Sequence, residues 1–279
     1  MDEFDLMRLS CLPVSFFSEI IEGKMSIHDW ARMGAELGLD AIDLSILFVR
    51  DRSKPGLEAF REQVTSAGMN VAMITSYPDF THPDAGQRLK ELELEVEVVK
   101  VASALGAKMV RVTAGQAHPQ TRIQEGTAWA VEGLSRLSER VKDSGVRLVY
   151  ENHAKPGAWQ HTDFSQPPQI FLEIVRQTAG CGLGINFDTG NAATFSDDPL
   201  ALLESVVDRV VSVHASDSST HGSLNHTLLG KGITPFPKLF ACLKRHAWDG
   251  WICMEEASNL GRNGVDQAAS FIRKTWADA

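Results

Sequence analysis

Short apolar runs alternate with longer amphipathic stretches along the whole chain. The short runs have the length and residue types of buried β-strands, and one of the longer stretches has apolar residues at Leu89, Leu92, Val96 and Val99, a spacing typical of a helix. Strands are predicted at residues 7–12, 41–45, 71–75, 108–113, 146–151, 182–188, 209–214 and 251–255. Helices are predicted at residues 26–37, 56–67, 84–106, 122–144, 167–178, 198–206, 235–246 and 265–276.

Eight strand-and-helix repeats on one chain predict an α/β protein of the (β/α)₈ TIM barrel type. The length of 279 residues agrees, because such barrels have about 250 residues with modest insertions. A doubly wound open sheet uses the same units, but its usual nucleotide-binding glycine motifs do not occur in the sequence. No linker divides the chain, so residues 1–279 are predicted to form one barrel domain with long loops at 152–166 and 215–234.

Four of the predicted strands end in a side chain that can bind a metal ion. These residues are Glu151, Asp188, His214 and Glu255. They are 37, 26 and 41 residues apart, and each gap is about one strand-plus-helix unit, which brings successive strand ends to the same rim of a barrel. One such residue alone could be an exposed polar strand end, and it is the set of four that indicates a site.

The alternation of side chains along a strand predicts where these four residues point, because residues of the same parity share one face. Their neighbours of opposite parity are large and mostly apolar, as expected of positions that pack against surrounding helices. Those neighbours are Leu148, Tyr150, Ile185, Phe187, Val211, Val213, Ile252 and Met254. The four candidate ligands are therefore predicted to point into the barrel, whereas Glu256 shares the outward face.

Three carboxylates and one imidazole form a donor set made mostly of oxygen atoms. Such a set suits Mn²⁺, which is the predicted ion, and it can also bind Mg²⁺, Co²⁺ or Zn²⁺. Without a cation the three carboxylates would repel one another, and at least one of them would have to bind a proton. The sequence therefore predicts one divalent metal ion at this rim.

Further polar residues are candidates for contact with a substrate at the same rim. Asp43 is predicted to point inward near the end of the second strand. His153, just beyond the fifth strand, would be either a hydrogen-bond donor to the substrate or a solvated loop residue. Trp159 could cover the face of a sugar or pack within its own loop, and His226 lies in the long loop that follows the seventh strand.

Composition and charge favour a small-molecule partner. The formal charge is −9 without a concentrated basic run, which argues against binding to nucleic acid. No apolar run approaches the roughly 20 residues of a membrane span, and the N-terminal residues are acidic where a signal peptide would be basic. We therefore expect a cytoplasmic protein without a membrane partner. The sequence leaves open whether the chain forms a homo-oligomer.

Seven short segments spread over most of the chain form a recognisable series. They are Gly34–Leu44, Ala104–Val112, Glu151–His153, Phe187–Asn191, Val213–Asp217, Leu229–Gly232 and Asp249–Glu255. In this order they resemble the sugar phosphate isomerase/epimerase superfamily with the xylose-isomerase-like barrel, which includes ketose 3-epimerases, inosose dehydratases and hydroxypyruvate isomerases. The resemblance implies that the four strand-end residues bind one divalent ion and that Glu151 and Glu255 also move protons. It adds Asn191 and Asp217 as candidate substrate contacts.

The predicted function is a divalent-metal-dependent sugar isomerase or epimerase that transfers a proton through a metal-stabilised enediolate of a small keto- or aldo-sugar. A metal-dependent dehydratase or lyase acting on an inosose or keto-sugar is the alternative, because loss of a β-hydroxyl from the same enediolate is a dehydration. Some epimerases of this group have a His where this chain has Asn191, which cannot exchange protons near neutral pH.

Two further functions are compatible with the same barrel and are disfavoured by the sequence. Apurinic-site endonucleases use three metal ions, but Asn191 replaces one of their histidines, no Asp-x-His follows His214, and the charge is wrong for DNA. A non-catalytic sugar-binding barrel would have no need of the complete set of four ligands.

Overall fold

The structure is a computed structural model, and it describes residues 7–155, 157 and 159–279. These residues form a barrel of eight parallel strands with helices around it. The strands are β1 (Arg8–Leu12), β2 (Ile42–Ser45), β3 (Val71–Thr75), β4 (Met109–Val112), β5 (Arg147–Glu151), β6 (Gly184–Asp188), β7 (Val210–Ala215) and β8 (Trp251–Glu255). The helices are α1 (Phe17–Ile21), α2 (Ile27–Glu36), α3 (Lys54–Thr65), α4 (Ala85–Leu105), α5 (Ile123–Val141), α6 (Pro168–Gln177), α7 (Thr189–Phe195), α8 (Pro199–Glu204), α9 (Phe236–Arg245) and α10 (Arg262–Asp278).

The strands follow one another around the barrel in chain order. Strands β2 to β8 are paired consecutively, and β1 pairs with β8. Asp40 connects the two edge strands: its N–H donates to the Leu9 carbonyl (2.9 Å), and its carboxylate accepts from the Leu9 N–H (2.8 Å). The predicted barrel is confirmed, and because all its strands are parallel their carboxyl ends lie on one rim.

The predicted elements agree closely with the structure. Every predicted strand is found within two residues of its expected ends, and every predicted helix within three. The helices α1 and α7, of 5 and 7 residues, were not predicted; α7 follows directly on β6, and α1 begins in the connection that follows β1. Within the described residues, the helices are too short or too polar to cross a lipid bilayer.

One strand departs from the predicted alternation of side chains. Val211 was predicted to point outward, but it packs against a small apolar cluster inside the barrel, formed by Met73, Met109, Val149 and Cys253. The cause is a β-bulge, since Ile185 pairs with Val210 and Asn186 pairs with Ser212, so that Val211 is the extra residue. The bulge reverses the alternation only at the start of β7, and His214 keeps its inward direction.

Candidate metal centre

Four neighbouring strands, β5 to β8, each bring one candidate ligand to the mouth of the barrel at or next to the strand end. These residues, called the ligand cluster below, are Glu151, Asp188, His214 and Glu255. One ligand atom of each residue lies within 4.8 Å of those of the other three. Glu256 points away from the cluster, and its carboxylate accepts from the Ser15 hydroxyl (2.6 Å). The cluster could therefore hold a divalent metal ion.

The contacts within the ligand cluster are better explained by a bound cation than by ion pairs between the side chains alone. His214 Nδ1 lies 2.6 Å from Glu151 Oε1 and 3.1 Å from Glu255 Oε1. These contacts lack the direction of hydrogen bonds, and both ring nitrogens of His214 and Oε2 of Glu151 are buried without a hydrogen-bond partner among the described residues. Buried polar atoms normally have partners, and an ion held by His214 and the neighbouring carboxylates would supply one.

Asp188 is positioned by the residues that follow it. Its Oδ1 accepts from the Asn191 N–H (2.6 Å) and from the Ser216 hydroxyl (2.8 Å), so the carboxylate also caps helix α7. A side chain at Gly190 would prevent this approach, because a Cβ there would lie 2.3 Å from Ser216 Oγ. The Asn152 amide donates to the Asp188 carbonyl (2.8 Å) and accepts from its N–H (2.8 Å). These contacts occupy Oδ1 and leave Oδ2 for a ligand.

A chain of polar side chains inside the barrel positions Glu151. The Ser212 hydroxyl donates to Asn186 Oδ1 (2.7 Å), and Asn186 Nδ2 donates to Glu151 Oε1 (2.7 Å). The other carboxylate oxygen of Glu151 lies 3.2 Å from Arg111 Nε, and both side chains are buried. The Arg111 guanidinium is fixed in turn, because its Nη1 donates to the Ser76 carbonyl (3.0 Å). Glu151 is thus fixed by the fold before any ligand binds.

Protons and charges are unevenly distributed within the ligand cluster. Burial raises the pKa of Asp188, and the carboxylates of Glu255 and Glu151 raise it further. Burial also opposes ionisation of Glu151, but Arg111 and His214 lower its pKa. In the same way His214 and then Arg111 overcome burial and keep the pKa of Glu255 well below its usual range. Burial lowers the pKa of His214, but the two glutamates raise it well above its usual value. The protein alone therefore balances two glutamates with protons on Asp188 and His214, and a divalent ion would replace those protons.

Three of the six candidate substrate contacts lie at the cavity beside the cluster. His153, Asn191 and His226 line this cavity, which has a volume of about 410 Å³ and includes Glu255. His153 Nε2 is 3.9 Å from Glu151 Oε2, and burial lowers the pKa of His153 to about 4, so its ring is neutral at pH 7. A neutral imidazole there can both donate and accept a hydrogen bond.

The other three candidates are placed where they serve the fold. Asp43 points inward as predicted, but it lies inside the barrel, where it accepts from the Ser10 hydroxyl (2.7 Å) and burial raises its pKa to about 6. Trp159 packs edge-on against the His153 ring, with 6.2 Å between the ring centres. The carboxylate of Asp217, another candidate substrate contact, accepts from four backbone N–H groups, those of Ser218, Gly230, Gly232 and Thr234. Asp217 therefore shapes the loop between β7 and α9.

Arg111 and Tyr77 also line the cavity, and the sequence analysis missed both. The Arg111 guanidinium lies 4.8 Å from the centre of the Tyr77 ring. A signal for Arg111 was present in the sequence, since it has the parity of Met109, which faces the interior of the barrel, and is flanked by Val110 and Val112. A charged residue on the inward face of an apolar strand needs a partner, and Glu151 is that partner.

Known structures share this architecture over nearly the whole chain. A D-tagatose 3-epimerase-like protein superposes with a TM-score of 0.79 at 20% identity and covers 98% of both chains. The IOLI protein, whose structure holds a zinc atom, superposes with a TM-score of 0.79 at 15% identity and covers 98% of this chain and 99% of its own. At these identities the likeness concerns the fold alone.

Curated relatives match shorter parts of the chain. An inosose dehydratase of Lacticaseibacillus casei is 24% identical over 139 residues, which are 44% of this chain and 44% of that enzyme. The rhizopine catabolism protein MocC of Rhizobium meliloti is 27% identical over 148 residues, which are 47% of this chain and 43% of that protein. The chain thus spans less than half the length of these relatives.

The sequence profile of one protein family covers most of the barrel. This profile, described as xylose isomerase-like TIM barrel, matches residues 31–275. Those residues include seven of the eight strands, β2 to β8, and the whole ligand cluster. The chain therefore belongs to the xylose isomerase-like TIM barrel family.

Proposed function

We propose that the protein is a divalent-metal-dependent isomerase or epimerase that moves a proton next to the carbonyl group of a small keto- or aldo-sugar. The observation that carries this proposal is the arrangement of Glu151 and Glu255, which reach the same atom, His214 Nδ1, from different strands. The pKa of each glutamate is lowered, by Arg111 and His214 against the effect of burial, so both are in the form that accepts a proton. The glutamate that removes the proton becomes a carboxylic acid and can return it, and a second glutamate, once it has taken up a proton, can deliver one at another position of the substrate.

The ligand cluster would hold one divalent ion, which we propose to be Mn²⁺. A donor set of three carboxylates and one imidazole suits this ion, and the unpartnered buried atoms of His214 and Glu151 provide room for it in the hydrogen-bonding network. When bound, the ion would polarise the carbonyl oxygen of the substrate and so favour loss of the neighbouring proton. The zinc atom held by the IOLI protein supports a divalent ion in this fold without distinguishing zinc from manganese.

Residues around the cavity would bind and orient the substrate. The Arg111 guanidinium, held by Ser76 and Tyr77, would donate to a substrate oxygen near Glu151. His153, Asn191 and His226 would offer hydrogen bonds to hydroxyl groups, since all three line the cavity. We further propose that the partner is a small polyhydroxylated carbonyl compound and that the protein acts in the cytoplasm, without binding nucleic acid or membrane. This proposal is compatible with a homo-oligomer.

A dehydratase that acts on an inosose or a keto-sugar is the second candidate. The names of several curated relatives favour it, among them the inosose dehydratase of Lacticaseibacillus casei. The first step is the same, since Glu151 or Glu255 would take the proton next to the carbonyl. The outcome then depends on whether a proton returns to carbon or goes to a departing hydroxyl group, which would receive it from the glutamate that took up the proton or from His226.

Exchange of the α-proton in D₂O tests both candidates. The Mn²⁺-loaded protein is incubated with a panel of ketoses, aldoses and inososes, and NMR and mass spectrometry follow the products. An isomerase or epimerase gives a deuterated product with the same carbon and oxygen content, whereas a dehydratase gives a product that has lost water. Glu151→Gln and Glu255→Gln should each abolish exchange, and Glu97→Gln, an exposed position on α4, should retain it. Undiminished exchange in both active-site variants would refute the proposal.

A further inference from the structure

The cavity beside the ligand cluster has two chemically different sides. The polar side chains that line it are Tyr77, Arg111, His153, Lys155, Asn191, His226 and Glu255, and Ala154, Gly157 and Leu224 also line the cavity. The other side is lined by aliphatic and aromatic side chains, called the apolar wall below. They are Leu12, Val14, Phe17, Ile21 and Leu47. The cavity is therefore amphipathic, although the proposed chemistry uses only its polar side.

The apolar wall is built by the end of β1 and the short connections that follow β1 and β2. Leu12 pairs directly with Glu255 in the sheet, so the wall begins next to the ligand cluster. Phe17, in helix α1, packs against Phe48 with 4.7 Å between the ring centres. The wall continues outward to Leu47, whose side chain is 44% exposed. It thus extends from the reacting end of the cavity to its rim.

Two serines next to the apolar wall, Ser15 and Ser45, already have hydrogen-bond partners within the protein. The Ser15 hydroxyl donates to Glu256 Oε2 (2.6 Å), which points away from the cluster. Ser45 Oγ accepts from the Leu47 N–H (3.3 Å) and lies 3.4 Å from the Tyr77 hydroxyl. These serines are therefore already committed to other contacts and are poor partners for a substrate along the apolar wall.

A sugar with a hydroxyl group on every carbon would bind through the polar side of the cavity and would also place hydroxyl groups against the apolar wall. Its hydroxyls on the side of the apolar wall would lose their hydrogen bonds to water without gaining new ones, which is unfavourable. An apolar group in the same place would instead cover Leu47 and Phe17 and release water from both surfaces. The volume of about 410 Å³ lies in the usual range for small-molecule sites, roughly 300–1,000 Å³, and leaves room for such a group.

We propose that the substrate is amphipathic, with a hydroxylated carbonyl end at the ligand cluster and an alkyl or aryl substituent against the apolar wall. The inference rests on the proposed function for the carbonyl end and adds the substrate class. Leu47 and Phe17 are then the residues that select the substituent, because they form the outer part of the wall.

Hydroxamates of different chain length test the wall directly. Their head group chelates a divalent ion through two oxygens, which places the tail in the cavity. Isothermal titration calorimetry with the Mn²⁺-loaded protein compares acetohydroxamate, butanohydroxamate, hexanohydroxamate and the fully hydroxylated gluconohydroxamate. Each added methylene group should tighten binding by up to about fourfold, since burying one is worth about 0.8 kcal/mol. Hexanohydroxamate should also bind more tightly than gluconohydroxamate, which has the same number of carbons.

Two variants locate the effect in the cavity. Leu47→Asn should weaken the dependence of affinity on chain length, whereas Leu94→Asn, a leucine on α4 that is 52% exposed, should preserve it. Equal affinities along the alkyl series, or tighter binding of gluconohydroxamate, would overturn the inference even if a sugar exchanges its α-proton. A clear chain-length effect without exchange of any sugar would support the wall and count against the proposed reaction. If no hydroxamate binds, the inference about the apolar wall fails, and exchange of the α-proton decides the proposed function separately.

Discussion

Glu95 gives the protein a pH dependence that a single substitution should remove. The side chain lies on α4 and is 5% exposed, and burial raises its pKa to about 8. Ser76 and Arg111 lower this pKa, as does Arg52, whereas Glu91 raises it, but burial dominates. The Ser76 hydroxyl lies 2.8 Å from Glu95 Oε2 and 2.9 Å from the Arg111 carbonyl. The Ser76 hydroxyl has only one proton to donate. When Glu95 is protonated, its carboxyl group can donate to Ser76 Oγ while the Ser76 hydroxyl donates to the Arg111 carbonyl, so that both contacts are hydrogen bonds.

The direction of the pH effect follows from the protonation of Glu95 in the folded and unfolded states. In the unfolded chain Glu95 has its usual pKa of 4.5, so below that pH it is protonated in both states and has no effect on stability. As the pH rises from 4.5 to about 8, the unfolded state loses the proton while the folded state keeps it, and the free energy of unfolding falls. The slope approaches about 1.4 kcal/mol per pH unit, so the loss between pH 5 and pH 8 is on the order of 3 kcal/mol.

Glu95→Gln should abolish this loss, because an amide can donate to Ser76 without carrying a charge. We expect the variant to match the parent protein at pH 5 and to be more stable by on the order of 3 kcal/mol at pH 8, as measured by urea unfolding at constant ionic strength. Glu97→Gln, at an exposed position on the same helix, should show no such trend. A stability difference between Glu95→Gln and the parent that is the same at both pH values would refute the reasoning.

Three further outcomes are expected. Removing metal with a chelator should lower the melting temperature, and Mn²⁺ should restore it at about one ion per chain in the parent but not in His214→Ala; identical melting curves with and without metal would contradict the site. Arg111→Met should lower kcat/KM for α-proton exchange about tenfold or more, the loss of one charged hydrogen bond, while Arg140→Met, at an exposed ion pair, should not. Gly190→Ala should destabilise the fold by about 1–3 kcal/mol in urea unfolding, because the new methyl group would meet Ser216 Oγ; unchanged stability would show that the loop yields freely.

The strands and the ligand cluster could be predicted from the sequence because both depend on short-range rules. Buried strands appear as apolar runs, and parallel strands place their carboxyl ends on one rim whatever path the loops take. Alternation then selected Glu255 over Glu256, as the structure shows by placing Glu256 next to Ser15. The same rule failed at Val211, where a bulge inserts one residue into the ladder, and the sequence gives no separate sign of it.

The cavity could not be predicted in the same way, because its walls are formed by connections whose paths depend on tertiary contacts. Asp217 has the same appearance in the sequence as a substrate contact, and only the folded loop shows that backbone N–H groups occupy both of its oxygens. Leu12 and Leu47 are far apart in the sequence, and they face the same cavity because β1 and β2 are joined through Asp40. The apolar wall is therefore a property of the fold.

The arrangement of the ligand cluster explains how the barrel holds three carboxylates together. One oxygen of Asp188 is bound by Ser216 and by the first turn of α7, and one oxygen of Glu151 is bound by Asn186, so the polypeptide fixes these positions whether or not an ion is present. The other oxygen of Asp188 is left to an ion or to a proton, whereas the other oxygen of Glu151 faces Arg111, and metal uptake should therefore release protons. In the proposed function, isomerisation and dehydration would start from the same proton removal at this cluster, so the residues that decide between them would be those of the cavity, above all Asn191 and the neutral ring of His153.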